Sequence, residues 1–267
     1  MPIKVKKRNG ELEDFNEQKV RLSLQRVGAK PDVIDKILVS LSGKLTSGMT
    51  TQLIYKHVFD LLNQLQAGQS YRYSLKNSLL GLGPSGYPFE KFISQVLKAH
   101  GYQTKIQQIV QGKCITHEID VSATLDKEKY LVECKFHNRH GTKTRSKDAL
   151  YTYARFLDLS TDFTKVWLIT NTKITQNAIQ YGLCQGIKLT AWNYPQKGSL
   201  QELIESKNLH PLTCLSFLDS RDLQLFFQND LVLCRDLVDL KEKQLQEIGL
   251  NSSKLKRVKT AISQLHY

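Results

Sequence analysis

The chain has 267 residues, 40% of them hydrophobic and 24% charged, which suits one large domain or two modest ones with cores of their own. No run approaches the roughly 18 apolar residues of a membrane span, and the basic residues 1–10 lack the apolar stretch of a secretory signal. A cytoplasmic protein with no membrane partner is therefore expected, and its formal net charge of +13 attracts polyanions, of which nucleic acid is the commonest there.

Residues 3–8 and 11–15 flank Asn9-Gly10, a dipeptide that favours the tight turn of a β-hairpin. Apolar spacing predicts helices over 16–27, 32–41 and 50–65, with Asn16 and Thr50 as side-chain caps. The glycine-rich run Leu80-Gly81-Leu82-Gly83-Pro84-Ser85-Gly86 marks a boundary. Beyond it, Phe89, Phe92, Ile93 and Val96 recur at helical spacing over 88–100, with Gly101 as the stop. Strand-like runs follow at 104–110, 115–123 and 130–137, then a helix at 146–159, an apolar strand at 166–170, a helix at 174–184 and a strand at 188–192. One helix, a three-stranded meander and an αβαβ alternation predict an α/β (α+β) fold, a mixed sheet flanked by helices. Residues 198–267 are helical by pattern, so the expected parts are 1–82, 83–197 and 198–267. The cysteines at 114, 134, 184, 214 and 234 form no CxxC pair, which argues against a disulfide framework or zinc knuckle. Each stands in an apolar or strand-like context and reads as a small core residue.

The chemistry concentrates in His117-Glu118-Ile119-Asp120-Val121 and Leu131-Val132-Glu133-Cys134-Lys135-Phe136. Alternate residues of a strand share a face. If Asp126-Lys127 closes a hairpin, Val121 faces Val132 and Ile119 faces Cys134, giving an apolar face. On the other face Asp120 lands against Glu133, and Glu118 against Lys135. Opposed like charges destabilise a sheet by up to about 1 kcal/mol, and a divalent cation with oxygen ligands resolves the conflict economically. Lys135 on the same face reaches a phosphate or an attacking water. The bland alternative is a solvated sheet face held by a Glu118–Lys135 pair. His117 and His137 flank this site and read as structural. Lys135, Arg139, Lys143, Arg145 and Lys147, with no acid before Asp148, suggest a loop that follows a phosphate backbone.

Asp120 followed by Glu133-Cys134-Lys135 resembles the PD-(D/E)xK nuclease signature, although Ile119 stands where the nominal motif has proline. Gly86-Tyr87-Pro88-Phe89-Glu90 opening a helix that ends in His100-Gly101-Tyr102 resembles the Mrr-like branch of that family. So does Thr170-Asn171-Thr172 before a helix through Ala178 and Tyr181, followed by Gly186-Ile187-Lys188-Leu189. The resemblance covers about residues 84–195 and implies a restriction-endonuclease-like sheet. It implies catalytic roles for Asp120, Glu133, Lys135 and Glu90. The metal, Mg²⁺ or Mn²⁺, would be held by Asp120, Glu133 and the Cys134 backbone carbonyl, with DNA along Arg139, Lys143, Arg145 and Lys147.

Val5-Lys6-Lys7-Arg8-Asn9-Gly10 with Phe15 and Lys19 is similar to the ATP-cone, a regulatory domain known from ribonucleotide reductases. This similarity covers about residues 3–82 and continues through Thr51 and Tyr55. It implies ATP or dATP as ligand, with Lys7, Arg8 and Lys19 on phosphates, Val5 lining the base pocket, and Thr51 and Tyr55 completing the site. Tyr55 stands where many cones carry histidine, which leaves the nucleotide's identity open. No Walker loop is present, so hydrolysis of the nucleotide is not expected. In the C-terminal part, Gly249 separates two short helical patterns before Lys254, Lys256, Arg257 and Lys259. They suit a minor-groove-binding module or a docked helical cap, and the cap is favoured because the basic spacing is generic.

The leading reading is a metal-dependent DNA endonuclease in restriction or defence, regulated by an adenine nucleotide. Cutting a duplex needs two active sites, so at least a dimer is expected. The alternatives are a repair nuclease acting on damaged or branched DNA, and a nucleotide-sensing DNA-binding regulator with an inactive core. The intact Asp120, Glu133 and Lys135 set argues against the last.

Overall fold

A computed structural model of the chain describes residues 2–8 and 10–265. The chain forms two compact units, and the first combines Met1–Leu75, Cys214–Leu225 and Leu237–Tyr267. Its hairpin pairs β1 (Lys4–Lys6) with β2 (Leu12–Asp14), antiparallel with Val5 opposite Glu13. Asn9 of the predicted turn lies outside the described residues, while Gly10 takes a φ of +89°, a conformation that costs a residue without Cβ little. At the start of α1 (Glu17–Arg26) the Asn16 side chain accepts the Lys19 N–H at 3.1 Å. α2 (Pro31–Ser42) begins on a proline, whose missing N–H is no loss in a first turn. Thr50 caps α3 (Thr51–Leu65) by accepting the Leu53 N–H at 3.2 Å, and α4 (Ala67–Tyr73) follows. Leu24, Ile37, Leu41, Val58 and Leu62 fill the core between these helices.

α5 (Leu75–Leu80) carries the chain into the second unit, which combines Lys76–Thr213 and Phe226–Asp236. There α6 (Tyr87–Ala99) precedes β3 (Gln103–Gln111), β4 (Thr116–Leu125) and β5 (Glu128–Lys135). β6 (Lys143–Thr144) and α7 (Ser146–Asp158) lead to β7 (Lys165–Thr170). β8 (Lys173–Ile174), α8 (Gln176–Cys184), β9 (Lys188–Thr190) and α9 (Leu200–Glu205) complete the unit's main elements. The five-stranded sheet has the order β3-β4-β5-β7-β9, antiparallel through β5 and parallel beyond it. It is the mixed sheet that the meander and the αβαβ alternation predict. Leu131, Val166 and Leu168 pack with Ala149 of α7 and Ala178 of α8. Their alternates Val132, Trp167 and Ile169 are also buried and, by strand alternation, point to the opposite face. The parallel β6–β8 pair was invisible in the sequence, since two-residue strands carry no periodicity.

The C-terminal residues do not form a part by themselves. α9 belongs to the second unit, whereas α11 (Glu242–Glu247) and α12 (Ser252–Gln264) belong to the first, reached after α10 (Ser220–Gln228). The cause is a docking face. α12 buries Leu255, Val258 and Ala261, Arg72 of α4 donates to the Leu265 carbonyl at 2.9 Å, and Gly68 lies against the Gln264 carbonyl. Three of the four basic residues named for this stretch find partners in the same unit. Lys254 pairs with Asp219 at 2.7 Å and Asp222 at 2.6 Å, Lys259 with Glu242 at 2.7 Å, and Arg257 lies over the Phe217 ring at 4.4 Å. A docked cap accounts for these contacts.

The cysteines depart from expectation. Cys214 and Cys234 are buried, but Cys114 and Cys184 are exposed, because one sits in the β3–β4 connection and the other at the last turn of α8. None of the five is in a disulfide.

Candidate active site

The site lies where β4 and β5 part. The two strands join through Asp126-Lys127, with Asp126 at φ +52°, and pair in the predicted register from Leu125 opposite Glu128 to Val121 opposite Val132. The ladder ends there. The expected pairs Ile119 with Cys134, Asp120 with Glu133, and Glu118 with Lys135 lie past its last rung. Two features account for this. The Asp120 carboxylate takes the Cys134 backbone N–H at 2.7 Å, replacing a main-chain rung. On the other side of β4, Ile106 pairs with Val121 and Gln108 with Ile119, while Gln107 between them sits at φ +49°. The register is the same on both sides, so no residue is inserted, and the distortion is confined to Gln107 opposite Asp120. Ile119 consequently joins the core with Leu131 and Ala149 instead of covering Cys134.

The carboxylates gather without a ladder to align them. Glu133 is held up at about 7, first by burial and then by the Asp120 charge, against the pull of Arg155 and Lys135. Burial also raises Asp120, opposed by the Cys134 N–H and Arg155 and reinforced by Glu118. Glu90, in the first turn of α6, is raised to about 7 by burial and then by Asp120, Glu118 and Glu133. Burial, and then Asp120, Glu90 and Glu133, pushes the Cys134 thiol up. Glu90 of α6 thus shares a negative field with the three acids of β4 and β5.

Lys135 does not pair with Glu118. Its ammonium lies 3.3 Å from Asp148 of α7, which is buried. Arg155, two turns further along the same helix, donates to the Glu133 carboxylate and to the Glu118 backbone carbonyl. Neither Asp148 nor Arg155 was singled out in the sequence. The available signal was an acid and a base seven residues apart on a helix face otherwise made of Ala149 and Thr152, both fully buried. His117 binds Asp158 at 2.7 Å, and Asp158 also accepts the Cys114 and Ile115 N–H groups, so this histidine secures the β3–β4 connection. The His137 backbone N–H and carbonyl bond the Asn171 amide at 2.9 and 2.8 Å, and burial lowers its imidazole.

The basic run is not one loop. Lys143 lies in β6, Arg145 precedes α7 and Lys147 occupies its first turn. All three are exposed, as is Arg139, and none forms an ion pair among the described residues. Arg139 lines an open cleft of about 290 Å³ with Pro84, Phe136, His137, Asn138 and Thr142, beside the Lys135 end of β5.

In the first unit the residues marked for nucleotide binding are partly gathered. Lys7 lies 3.0 Å and Lys19 3.5 Å from Glu13, so one carboxylate holds both ammonium groups. Lys6 bridges to Thr50, which brings the hairpin beside the start of α3 and Thr51. Val5 is buried in the core, Tyr55 stacks on Tyr73 at 5.3 Å, and Arg8 follows β1 in the turn.

Asp120 and Glu133 fit a hard divalent cation, because burial raises both carboxylates and the Asp120 charge further raises Glu133, a conflict one ion would relieve. No group of three or more His, Cys, Asp or Glu side chains is drawn into a metal cage among the described residues. A two-carboxylate set matches an ion that keeps several waters, as Mg²⁺ does.

Sheet order and acids together define a restriction-endonuclease-like domain, and the restriction endonuclease family (Mrr_cat) matches residues 84–194. The AF1548-like C-terminal family matches residues 210–266. An uncharacterized protein of Archaeoglobus fulgidus is 47% identical over 167 residues, which cover 62% of this chain and 95% of that protein. The crystal structure of AF1548, a protein of unknown function, superposes with a TM-score of 0.62 at 43% identity, covering 68% of this chain and 98% of that one. The chain belongs to the AF1548-like family and carries a restriction endonuclease domain. No helix among the described residues is long and apolar enough to cross a membrane.

Proposed function

We propose that this protein is a divalent-metal-dependent endodeoxyribonuclease of the PD-(D/E)xK type, acting in restriction or defence and controlled by an adenine nucleotide. The observation that supports the reading is the Asp120 carboxylate taking the Cys134 backbone N–H where β4 and β5 part, with Glu133 and Lys135 on either side of Cys134. Asp120 and Glu133 would hold Mg²⁺ or Mn²⁺, with the Cys134 carbonyl as a further oxygen. Such an ion, when bound, supplies charge neutralisation at the scissile phosphate and a more acidic water. The chain's own residues do the remaining work. Lys135 offers its ammonium to a phosphate oxygen and steadies charge that grows during hydrolysis. Glu90, raised to about 7, is poised to accept or return a proton near neutrality. Arg139, Lys143, Arg145 and Lys147 hold the flanking backbone by charge. The ATP-cone reading of residues 1–82 rests on their resemblance to that domain, in which Lys7 and Lys19, both drawn to Glu13, would hold phosphates. A nucleotide there would act by favouring one assembly or arrangement over another, and a dimer would supply one site per strand.

Purified protein incubated with plasmid DNA and Mg²⁺ tests the reading. Cleavage that chelation stops and that Asp120→Ala, Glu133→Ala or Lys135→Ala abolishes, with DNA binding kept, is expected. Full activity in Asp120→Ala would overturn the metal-site assignment.

A further inference from the structure

One helix face grips both functional residues of β5. Glu133 and Lys135 stand two residues apart on the strand, about 7 Å along it. Asp148 and Arg155 stand seven residues apart on α7, about 10 Å along the helix. Seven residues make nearly two turns, so both point the same way. The intervening buried positions are Ala149 and Thr152, and the Thr152 hydroxyl returns to the Asp148 carbonyl at 2.8 Å. Small side chains with internally satisfied polar groups let the helix lie close to the strand. The charges match crosswise, with Arg155 on Glu133 and Asp148 on Lys135.

The two grips differ in kind. Arg155 reaches across the opening, holding the Glu133 carboxylate on β5 and the Glu118 carbonyl on β4 with separate nitrogens. It cross-links the strands just past their last main-chain rung. Asp148 is fixed by accepting the Arg145 N–H at 2.8 Å, and it holds the Lys135 ammonium from the helix start.

We propose that α7 is a positioning element for the site. Arg155 aims one Glu133 oxygen at the cation by occupying the other, and Asp148 fixes where Lys135 points. This rests on the nuclease reading above. A planar fork can bridge a carboxylate and a carbonyl as a point charge cannot, so Arg155→Lys keeps the charge and loses the bridge. Lys135 is no metal ligand, so Asp148→Asn disturbs Lys135 and leaves the ion's ligands in place.

Mn²⁺ binding, followed by the loss of the free-ion paramagnetic signal, and DNA cleavage kinetics on the full chain separate these roles. Arg155→Lys should weaken Mn²⁺ binding by about 10- to 100-fold and lower kcat, with KM for DNA unchanged. Asp148→Asn should lower kcat by a similar factor while Mn²⁺ affinity stays at the wild-type value. A role in stability alone would lower the melting temperature of both variants and leave Mn²⁺ affinity and kcat of the folded protein unchanged, which would overturn the proposal. Should Arg155→Lys fail to fold, Asp148→Asn decides, and an unchanged kcat there overturns it. Wild-type protein that neither binds Mn²⁺ nor cleaves DNA would defeat the nuclease reading itself. An active wild type with indifferent variants defeats only the role of α7.

Discussion

Raising the pH should destabilise the folded protein through Glu133. Its carboxyl moves from an ordinary 4.5 to about 7 on folding, chiefly through burial. Between those values the folded chain keeps a proton that the unfolded chain has lost. The stability from that proton is complete below about pH 4.5 and gone above about pH 7. A rise of about 2.5 units at about 1.4 kcal/mol each comes to about 3 kcal/mol. The side chain is only 13% exposed, so solvent screening does not erase the effect. Glu133→Gln isolates it. The variant cannot ionise at this position, so it resembles the protonated wild type at low pH, and the two diverge as wild-type Glu133 gives up its proton to become the ionised partner of Arg155. Urea unfolding from about pH 5 to about pH 8 should show the wild type falling more steeply than the variant by on the order of 2–3 kcal/mol. Saturating Mn²⁺ should flatten the wild-type curve, because an ion that binds only the folded state holds Glu133 ionised. Parallel curves for wild type and Glu133→Gln would refute the placement of a proton on this carboxyl.

Charge reversal at Arg139, Lys143 and Arg145 should flatten the salt dependence of DNA binding by about 0.9 log units for each phosphate no longer neutralised, about 3 in all; an unchanged slope would remove these residues from the interface. Gly68→Ala should cost about 1–3 kcal/mol, because the added Cβ would run into the Gln264 carbonyl oxygen, and a variant melting like wild type would refute the α4–α12 packing. Lys7→Ala and Lys19→Ala should each weaken ATP or dATP binding by about 10- to 100-fold in calorimetry, the worth of a charged hydrogen bond, and binding that survives both would place the nucleotide elsewhere.

The sequence made the sheet legible because its strands are long and its punctuation is strong. Asn16, Thr50 and Gly101 mark helix ends where the structure has them, and the Val121–Val132 register follows from pairing apolar residues. Legibility stopped at Asp120. A side chain that captures a main-chain N–H and a neighbour at positive φ break the regular alternation on which strand reasoning depends, so Ile119 faced the other way. The grips on Glu133 and Lys135 were missed for a different reason. Asp148 and Arg155 look like solvated helix charges until the strand beneath them is known to carry their complements. The C-terminal basic residues misled in the opposite sense, since Lys254 and Lys259 find acids brought near only by the fold.

Anomalous scattering from crystals grown with Mn²⁺ tests whether Asp120 and Glu133 converge on one divalent cation. One strong peak is expected in the restriction endonuclease domain, about 2.1 Å from an oxygen of each carboxylate and absent in Asp120→Ala. A peak held by other residues, or Asp120 and Glu133 turned to opposite faces of the sheet with the ion bound elsewhere, would contradict it.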